Sequence, residues 1–182
     1  ETISVSIGQG AFTATPLQLA MATAITANQG SHITPHVLRE SHGAKPYTPI
    51  NAPDGKIQFN GQPEDWIKMR DAMVDVVDTG TGRGIRTPMY KIAGKTGTAQ
   101  VKSIAQGKRY NESLLTERQL DHGLFVGFAP AENPEIAIAV VWENGKHGGS
   151  AAQLARPIFD YWLLKREKNP IRPAAHQISG GL

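Results

Sequence analysis

Residues 95–98 read Lys-Thr-Gly-Thr and bring one ammonium group, two hydroxyls and a glycine into a segment that otherwise has the character of a β-strand. Lys95 supplies a compact positive charge, and the hydroxyls of Thr96 and Thr98 can donate hydrogen bonds to an anion or relay a proton. Gly97 has no side chain, so a ligand can approach the backbone, and an edge strand leaves backbone N–H groups unpaired. This pattern favours the binding of a carboxylate and an oxyanion at the edge of a sheet.

The sequence that follows predicts the sheet that must hold these residues. Two apolar segments, at 123–130 and 135–142, are joined by the short connection 131–134, which is typical of neighbouring antiparallel strands. We therefore expect the strand that carries Lys95 to belong to an antiparallel meander.

Three helices are predicted around this sheet. Thr15 fits an N-cap, Pro16 the first helical position and Gln18 the reciprocal position of a capping box, with Gly30 as a C-terminal stop. A second helix is expected to start near 63–65, and a third to run from about 150 to 168 and to kink or restart at Pro157. The apolar residues at helical spacing are Leu17, Met21, Ala24 and Ile25; Trp66, Met69, Met73, Val76 and Val77; and Leu154, Ile158, Tyr161 and Leu164.

Other segments are predicted from shorter patterns. Strands are expected at Ile3–Ile7, at Ile33–Glu40 and, briefly, at Lys56–Phe59. The three residues Gly8-Gln9-Gly10 form either a tight turn or a close backbone approach to a site, and the pattern leaves both open. The polar stretch between Val101 and Gly123 is too long for a tight hairpin, and its position would let it overhang the site.

The glycines at 80, 82 and 84 raise the question of a phosphate-binding loop. Such a loop follows a strand and precedes a helix, whereas these glycines end a helix and enter a strand. The segment is better interpreted as a flexible link that feeds the strand of Lys95.

Length and composition limit the classes of function. The 182 residues suit one domain at 1–168 followed by a frayed Pro- and Gly-rich tail at 169–182. A net charge of +3, without a basic run that alternates with aromatic residues, gives no support for nucleic-acid binding. The absence of cysteine excludes thiolate chemistry in this stretch, and the six histidines form no metal-binding motif. No window has the roughly 18 apolar residues that a membrane span needs, and we expect neither a metal nor a cofactor.

Taken together, several motifs make this chain similar to a known family. They are Gly8-Gln9-Gly10, Thr15-Pro16-Leu17-Gln18, Lys95-Thr96-Gly97-Thr98-Ala99-Gln100, Phe125-Val126-Gly127-Phe128-Ala129-Pro130 and Gly148-Gly149 with the helix after it. In this order they resemble the C-terminal part of the transpeptidase domain of class B penicillin-binding proteins of the elongation type, the penicillin-binding protein 2 group. Lys-Thr-Gly is the third sequence element of the active-serine penicillin-recognising enzymes.

The resemblance implies an α+β fold in which an antiparallel sheet is flanked by helices, as part of a penicillin-binding/β-lactamase-like transpeptidase fold. It implies a D,D-transpeptidase that cross-links peptidoglycan stem peptides through an acyl-enzyme and is acylated by β-lactams. The implied catalytic residues are Lys95, Thr96, Gly97 and Thr98. Lys95 would polarise the site and help to move a proton, Thr96 and Thr98 would bind the carboxylate, and the Thr98 N–H would form half of the oxyanion hole.

The same resemblance implies a location and a partner. The protein would work at the periplasmic face of the bacterial inner membrane, held there by an N-terminal segment that these residues do not include. The implied partner is a shape- or elongation-type glycosyltransferase in the membrane, and no nucleic acid is involved.

One departure from the family pattern affects activity. The family needs Ser-x-x-Lys for nucleophile and base, and Ser-x-Asn or Ser-x-Asp as a second element, and neither occurs in these residues; Ser41 precedes Lys45 by one position too many. We therefore expect this stretch to be inactive by itself. We also expect apolar surface on the helix at 17–25 and on the strand of Lys95 to lack cover, which promotes association.

Three other interpretations remain open from the residues. A β-lactamase or D,D-carboxypeptidase shares the Lys-Thr-Gly strand, although the block from Gly8 to Gln18 fits the high-molecular-weight enzymes better. A non-catalytic β-lactam sensor would use the strand of Lys95 to bind a ligand without turnover. A globular α+β domain with an accidental tripeptide is the simplest alternative.

Overall fold

The computed structural model describes residues 8, 13–38, 41–42, 55–56, 62–102 and 115–165. In these residues a three-stranded antiparallel sheet lies between helices, as the sequence predicts, and two short segments form a separate two-stranded ladder. The helices are α1 (Pro16–Ala27), α2 (Glu64–Asp78) and α3 (Gly148–Asp160), and the strands are β1 (Ser31–His32), β2 (Gly55–Lys56), β3 (Ala93–Ala99), β4 (His122–Ala129) and β5 (Ile136–Trp142).

The sheet has the order β3-β4-β5, and both pairings are antiparallel. The predicted meander is therefore confirmed, with the predicted connection between β4 and β5. Within the described part of the chain, β3 has a strand on one side only, so the residues 95–98 lie on an edge strand.

Two phenylalanines of β4 show how the sheet is buried on both faces. Phe125 packs in a cluster with Ala155 and Phe159 of α3. Phe128 packs in a second cluster with Met73 of α2, at the opposite face, because residues three apart on a strand point to opposite sides. These contacts show that α3 covers one face of the sheet and that α2 together with α1 covers the other. Burial of each phenylalanine side chain stabilises the fold by about 2–3 kcal/mol.

The start of α1 confirms the predicted cap. The Gln18 N–H donates to Thr15 Oγ1 at 3.2 Å, the Thr15 N–H donates to Gln18 Oε1 at 2.8 Å, and Pro16 is the first helical residue. The helix ends at Ala27, and Gly30 follows with a φ of +89° that favours glycine. The apolar face is only partly covered, since Leu17 is 60% exposed.

The predicted strand at Ile33–Glu40 is wrong. Residues 33–38 form no strand, and the ladder is limited to Ser31 and His32, which pair with β2. Pro35 has no N–H to donate to a ladder, and the His36 ring donates to the Leu38 carbonyl at 2.9 Å in a local turn. The second predicted strand, Lys56–Phe59, is described only at Lys56.

The apolar side predicted for the third helix is only partly buried. Leu154, Ile158 and Leu164 are exposed by 45%, 45% and 38%, Tyr161 is partly buried, and the buried residues of α3 lie on a different face. Those residues are small, chiefly Ala151 and Ala155, which lets the helix axis approach the sheet closely.

Pro157 neither ends nor restarts α3. The helix continues through it to Asp160 and widens into a π-helical turn at Tyr161–Lys165. In α2 the stripe is largely as predicted, with Val77 buried and Met69 41% exposed.

Several predictions fall outside the described residues: the strand at Ile3–Ile7, Gln9 and Gly10, most of the connection after Val101, and the tail at 169–182. Among the residues that are described, no helix combines the length and the apolar character that crossing a membrane requires.

A polar cluster joins α3 to the segment that precedes β3. Tyr90 Oη donates to Asp160 Oδ1 at 2.6 Å, and Arg156 Nε donates to Asp160 Oδ2 at 2.9 Å. Arg156 Nη1 also donates to the carbonyls of Ile85 and Arg86, at 3.0 and 3.1 Å. The cluster therefore fixes the approach of the chain to β3 against the end of α3.

We expect Asp160→Asn to lower the free energy of unfolding at pH 7 by about 1–2 kcal/mol, because charge-assisted hydrogen bonds are replaced by weaker ones. Burial alone would raise the pKa of Asp160, but the hydrogen bonds from Tyr90 and Arg156 lower it below its usual value. The folded state thus binds this proton less readily than the unfolded state. The stabilisation is complete above the unfolded pKa, near 4, and is lost as pH falls through the folded value.

Denaturant unfolding between pH 7 and pH 2 measures this difference. The gap between the wild type and Asp160→Asn should shrink as the pH falls, whereas Asp71→Asn, at an exposed carboxylate on α2, should change little. A gap that is constant with pH would show that Asp160 does not stabilise the fold through its charge.

Tyr90 has the opposite pH dependence. Burial and the hydrogen bond to Asp160 raise the pKa of Tyr90 above its usual value of about 10. The stabilisation that neutral Tyr90 gives to the fold is therefore complete below pH 10 and is lost as the pH rises above that value.

Candidate active site

All four residues singled out by the sequence lie on the edge strand β3. In the register with β4, Lys95 is opposite Val126, Thr96 is opposite Phe125 and Thr98 is opposite Gly123. Side chains alternate along a strand, so Thr96 and Thr98 lie on the face that carries α3, and Lys95 lies on the other. Thr96 is buried, whereas Lys95 and Thr98 are exposed.

The Lys95 side chain folds back along its own strand. Its Nζ donates a hydrogen bond to the backbone carbonyl of Thr96 at 2.6 Å. The ammonium group is thus held next to the threonine that follows it while the side chain stays exposed to solvent. The ammonium group therefore lies against the backbone of β3, while the hydroxyl groups of Thr96 and Thr98 lie on the other face of the strand.

Beside this edge lies an open groove of about 620 Å³. Its walls are Thr96 and Thr98 of β3, the loop after α2, and the start of α3. The lining residues are Thr79, Gly80, Thr81, Arg83, Thr96, Thr98, His147, Gly148 and Gly149. None of these lining residues is acidic, and Arg83 contributes a positive charge, so the groove suits an anionic ligand.

The loop after α2 is folded tightly, and the interpretation as a flexible link is wrong. The Gly80 N–H donates to Asp75 O and the Gly82 N–H donates to Val76 O, at 2.9 and 2.8 Å, so the chain turns back onto the end of the helix. A 3-10 helix at Arg83–Ile85 follows. A Cβ at Gly80 would lie 2.9 Å from the Val76 backbone, which explains the glycine at this position.

The start of α3 lies directly on the backbone of β3. A Cβ placed on Gly148 would be 2.5 Å from Gly97 O, 2.6 Å from Gly97 N and 2.7 Å from Leu124 O. Only a glycine at 148 lets the first turn of the helix come this close to the strand. At Gly97 itself a Cβ would meet only Leu124 Cβ, at an ordinary contact distance of 3.5 Å, so the close packing requires the glycine at 148 and not the one at 97.

Sequence reasoning identified one wall of the groove and missed the other. Of the four predicted residues, Thr96 and Thr98 line the groove and Lys95 and Gly97 do not, whereas Thr81 and Arg83 line it and were not expected to take part. The Thr81 and Thr96 hydroxyl oxygens are 2.6 Å apart and share a hydrogen bond. The spacing of the glycines around Thr81 was the available signal, since it indicates a compact turn as readily as a link.

A second groove, of about 520 Å³, lies at the other end of the segment before β3. Its two cations are already paired with protein, Lys91 with Asp78 at 2.5 Å and Arg86 with Asp78 at 3.6 Å, Tyr90 is bonded to Asp160, and Glu132 adds an acidic side chain. These pairs hold the segment in place, so the groove beside Thr96 and Thr98 is the better candidate for ligand binding.

A Lys-Thr-Gly motif on an edge strand between two layers of helices is typical of the active-serine penicillin-recognising enzymes. Comparison with known families leads to the same class of protein. The model of the penicillin binding protein transpeptidase domain matches residues 1–160. The chain therefore belongs to the penicillin-binding protein transpeptidase family, as its motifs predicted.

The chain is also similar to individual members of this family. The chain is 82% identical, over all 182 residues, to the peptidoglycan D,D-transpeptidase MrdA of Acinetobacter baumannii, and it spans 27% of that protein. Among solved structures it matches Pseudomonas aeruginosa PBP2 in complex with WCK 5153, with a TM-score of 0.72, 39% identity and coverage of 92% of this chain and 33% of that one.

A more distant structure matches at the level of the fold and of the family. It is penicillin-binding protein A of Mycobacterium tuberculosis as an imipenem acyl-enzyme complex, with a TM-score of 0.63, 27% identity and coverage of 88% of this chain and 33% of that one. The chain thus spans roughly a quarter to a third of the length of these relatives. The predicted α+β fold with a sheet flanked by helices is confirmed.

Proposed function

We propose that this chain is the part of a serine D,D-transpeptidase that carries its third sequence element, Lys-Thr-Gly, and that the enzyme cross-links peptidoglycan stem peptides. The observation that carries the proposal is the edge strand β3, where Thr96 and Thr98 line a groove whose described lining residues include no acidic side chain, and where Lys95 lies between them and the buried start of the strand. The 82% identity to a peptidoglycan D,D-transpeptidase supports the same function. The substrate class would be a peptide that ends in D-Ala-D-Ala.

The proposed reaction is acyl transfer in two steps. A serine hydroxyl attacks the carbonyl of the penultimate D-Ala, its proton passes to a base, and the terminal D-Ala leaves as the acyl-enzyme forms. The amine of a neighbouring stem peptide then attacks the ester and frees the serine. Serine and base would come from the Ser-x-x-Lys element, which this sequence lacks.

Each residue of β3 has a distinct role in this proposal. The terminal carboxylate of the stem peptide, or that of a β-lactam, accepts hydrogen bonds from Thr96 and Thr98. The Thr98 N–H donates to the oxyanion of the tetrahedral intermediate, and losing one such donor typically costs about 3 kcal/mol of barrier. Lys95 stabilises the developing negative charge and favours proton transfer. Gly97 keeps the backbone accessible beside them.

The test is acylation of the complete protein that contains this sequence. Incubation with a penicillin should add the mass of the drug to one serine in a Ser-x-x-Lys element, and the 182 residues expressed alone should gain no adduct. Intact-protein and peptide mass spectrometry measure both. An adduct on the 182-residue chain, or none on the complete protein, would contradict the proposal.

The products of a stem-peptide substrate separate the related functions. Transfer to an acceptor amine gives a cross-linked dimer, as we expect, whereas a D,D-carboxypeptidase would give only the shortened peptide and free D-Ala. A sensor would form a stable adduct with the drug and release neither product. The proposal also places the protein at the periplasmic face of the inner membrane, with an elongation-type membrane glycosyltransferase as its partner.

A further inference from the structure

We propose that Thr81 is a positioning residue for carboxylate recognition, and that it acts through the Thr96 hydroxyl. This inference rests on the proposed function, because it assigns Thr96 to the carboxylate of the substrate. The observation that carries it is the 2.6 Å hydrogen bond between the hydroxyl groups of Thr81 and Thr96, which connects the loop after α2 to the edge strand.

The loop holds Thr81 in a defined place. The glycines on both sides are packed on α2: a Cβ at Gly80 would lie 2.9 Å from Val76 O, and one at Gly82 would lie 3.1 Å from the same oxygen. The Gly82 N–H donates to Val76 O, and the Arg83 N–H donates to Gly80 O. The backbone on either side of Thr81 is therefore fixed relative to the sheet, since α2 packs on β3 and β4 through Met73 and Val74.

Thr96 has little freedom to find another partner. Only 9% of its surface is exposed, and it lies opposite the buried Phe125 on the face covered by α3. A threonine hydroxyl has one proton to donate and two lone pairs that accept. The direction of the bond to Thr81 therefore decides whether that single proton is available to a ligand in the groove.

The productive direction is donation from Thr81 to Thr96. Thr81 Oγ1 then uses its own proton, and the Thr96 O–H is left to donate to a carboxylate beside Thr98. In the opposite direction Thr96 would present only lone pairs, which repel a carboxylate. Because Thr81 is exposed, water can satisfy its remaining lone pairs at little cost.

The prediction is a selective loss of carboxylate recognition in Thr81→Val. We expect the second-order rate constant for acylation of the complete protein by a penicillin to fall about fivefold, the effect of one lost hydrogen bond. Acylation by the methyl ester of the same penicillin should not change. Thr81→Ser keeps the hydroxyl and should retain the rate. Thr26→Val removes a hydroxyl on α1, away from the groove, and serves as the control.

A double-mutant cycle tests whether Thr81 acts through Thr96. Thr96→Val should itself lower the rate for the penicillin, and adding Thr81→Val to it should cause no further loss. A loss from Thr81→Val that persists in the Thr96→Val background, an equal loss with the ester, or no loss at all would overturn the inference. The melting temperature of each variant identifies losses that come from unfolding, and Thr81→Ala provides a second truncation without a branched side chain.

The two proposals fail in different ways. If the wild-type protein is not acylated by the penicillin, the proposed function is wrong. If the wild type is acylated and Thr81→Val reacts normally, the proposed function stands and only the role of Thr81 is wrong.

Discussion

Replacing Lys95 by alanine is expected to slow acylation of the complete protein by a penicillin by about 10²- to 10³-fold, the usual cost of losing a preorganised electrostatic contact to the transition state. The Lys95 ammonium is held at the sheet edge by its bond to the Thr96 carbonyl, next to the residues assigned to the carboxylate and the oxyanion. The side chain is exposed, so its removal should leave the fold intact. Stopped-flow or competition measurements of the second-order rate constant quantify the loss.

Two variants separate charge from geometry. Lys95→Arg keeps the positive charge but replaces a compact ammonium by a planar group, and we expect it to recover only part of the rate. Lys91→Ala removes a lysine four residues away whose partner is Asp78, outside the groove, and should react at close to the wild-type rate. A Lys95→Ala protein that is folded and reacts within threefold of the wild type would remove Lys95 from the catalytic residues.

The parts of the fold that the sequence predicted well are those with local causes. The capping box at Thr15 and Gln18 depends on residues three apart, and the meander β3-β4-β5 depends on alternation within each strand and a short connection between strands. These signals are present in the chain before any tertiary contact forms. The motif from Lys95 to Thr98 was found for the same reason, because its residue types are unusual for a strand.

The error at the third helix has a tertiary cause. Helical spacing grouped Leu154 and Ile158 but could not say which side of α3 faces the sheet. The buried side is chosen by how closely Ala151 and Ala155 allow the helix to approach Phe125, which no local pattern reveals. The error at Ile33–Glu40 has a local cause instead, because Pro35 lacks the N–H that a strand ladder needs.

The second wall of the site could not be predicted because it is formed by segments far apart in sequence. Thr81 and Thr96 are separated by fifteen positions, and α3 begins some fifty residues beyond Thr96. A glycine-rich sequence is compatible with a link and with a tight turn. What distinguishes the two is the close packing of Gly80 and Gly82 on Val76, which depends on the position of α2.

The second large effect is expected at Gly148. Its replacement by alanine should destabilise the protein by about 1–3 kcal/mol, as overpacking does in a close-packed interior, and should slow acylation more than tenfold. The added Cβ would meet Gly97 O and N and Leu124 O at 2.5–2.7 Å. All three are backbone atoms of paired strands, so no side chain can move aside. Either α3 shifts outward or β3 shifts at Gly97, directly before the Thr98 N–H assigned to the oxyanion.

Gly149→Ala is the matched control, because it makes the same chemical change one residue further along α3. Its Cβ would have Thr81 O as its nearest neighbour, at an ordinary contact distance of 3.4 Å. Alanine favours a helix over glycine by up to about 1 kcal/mol, so this variant should be as stable as the wild type or more stable. Denaturant unfolding measures the free energy of unfolding of both variants. A decrease for Gly148→Ala together with no decrease for Gly149→Ala would show that the need for glycine comes from the contact between α3 and β3. If Gly148→Ala unfolds and reacts like Gly149→Ala, α3 does not hold the strand in position, and the geometry of the oxyanion site must depend on β4 alone.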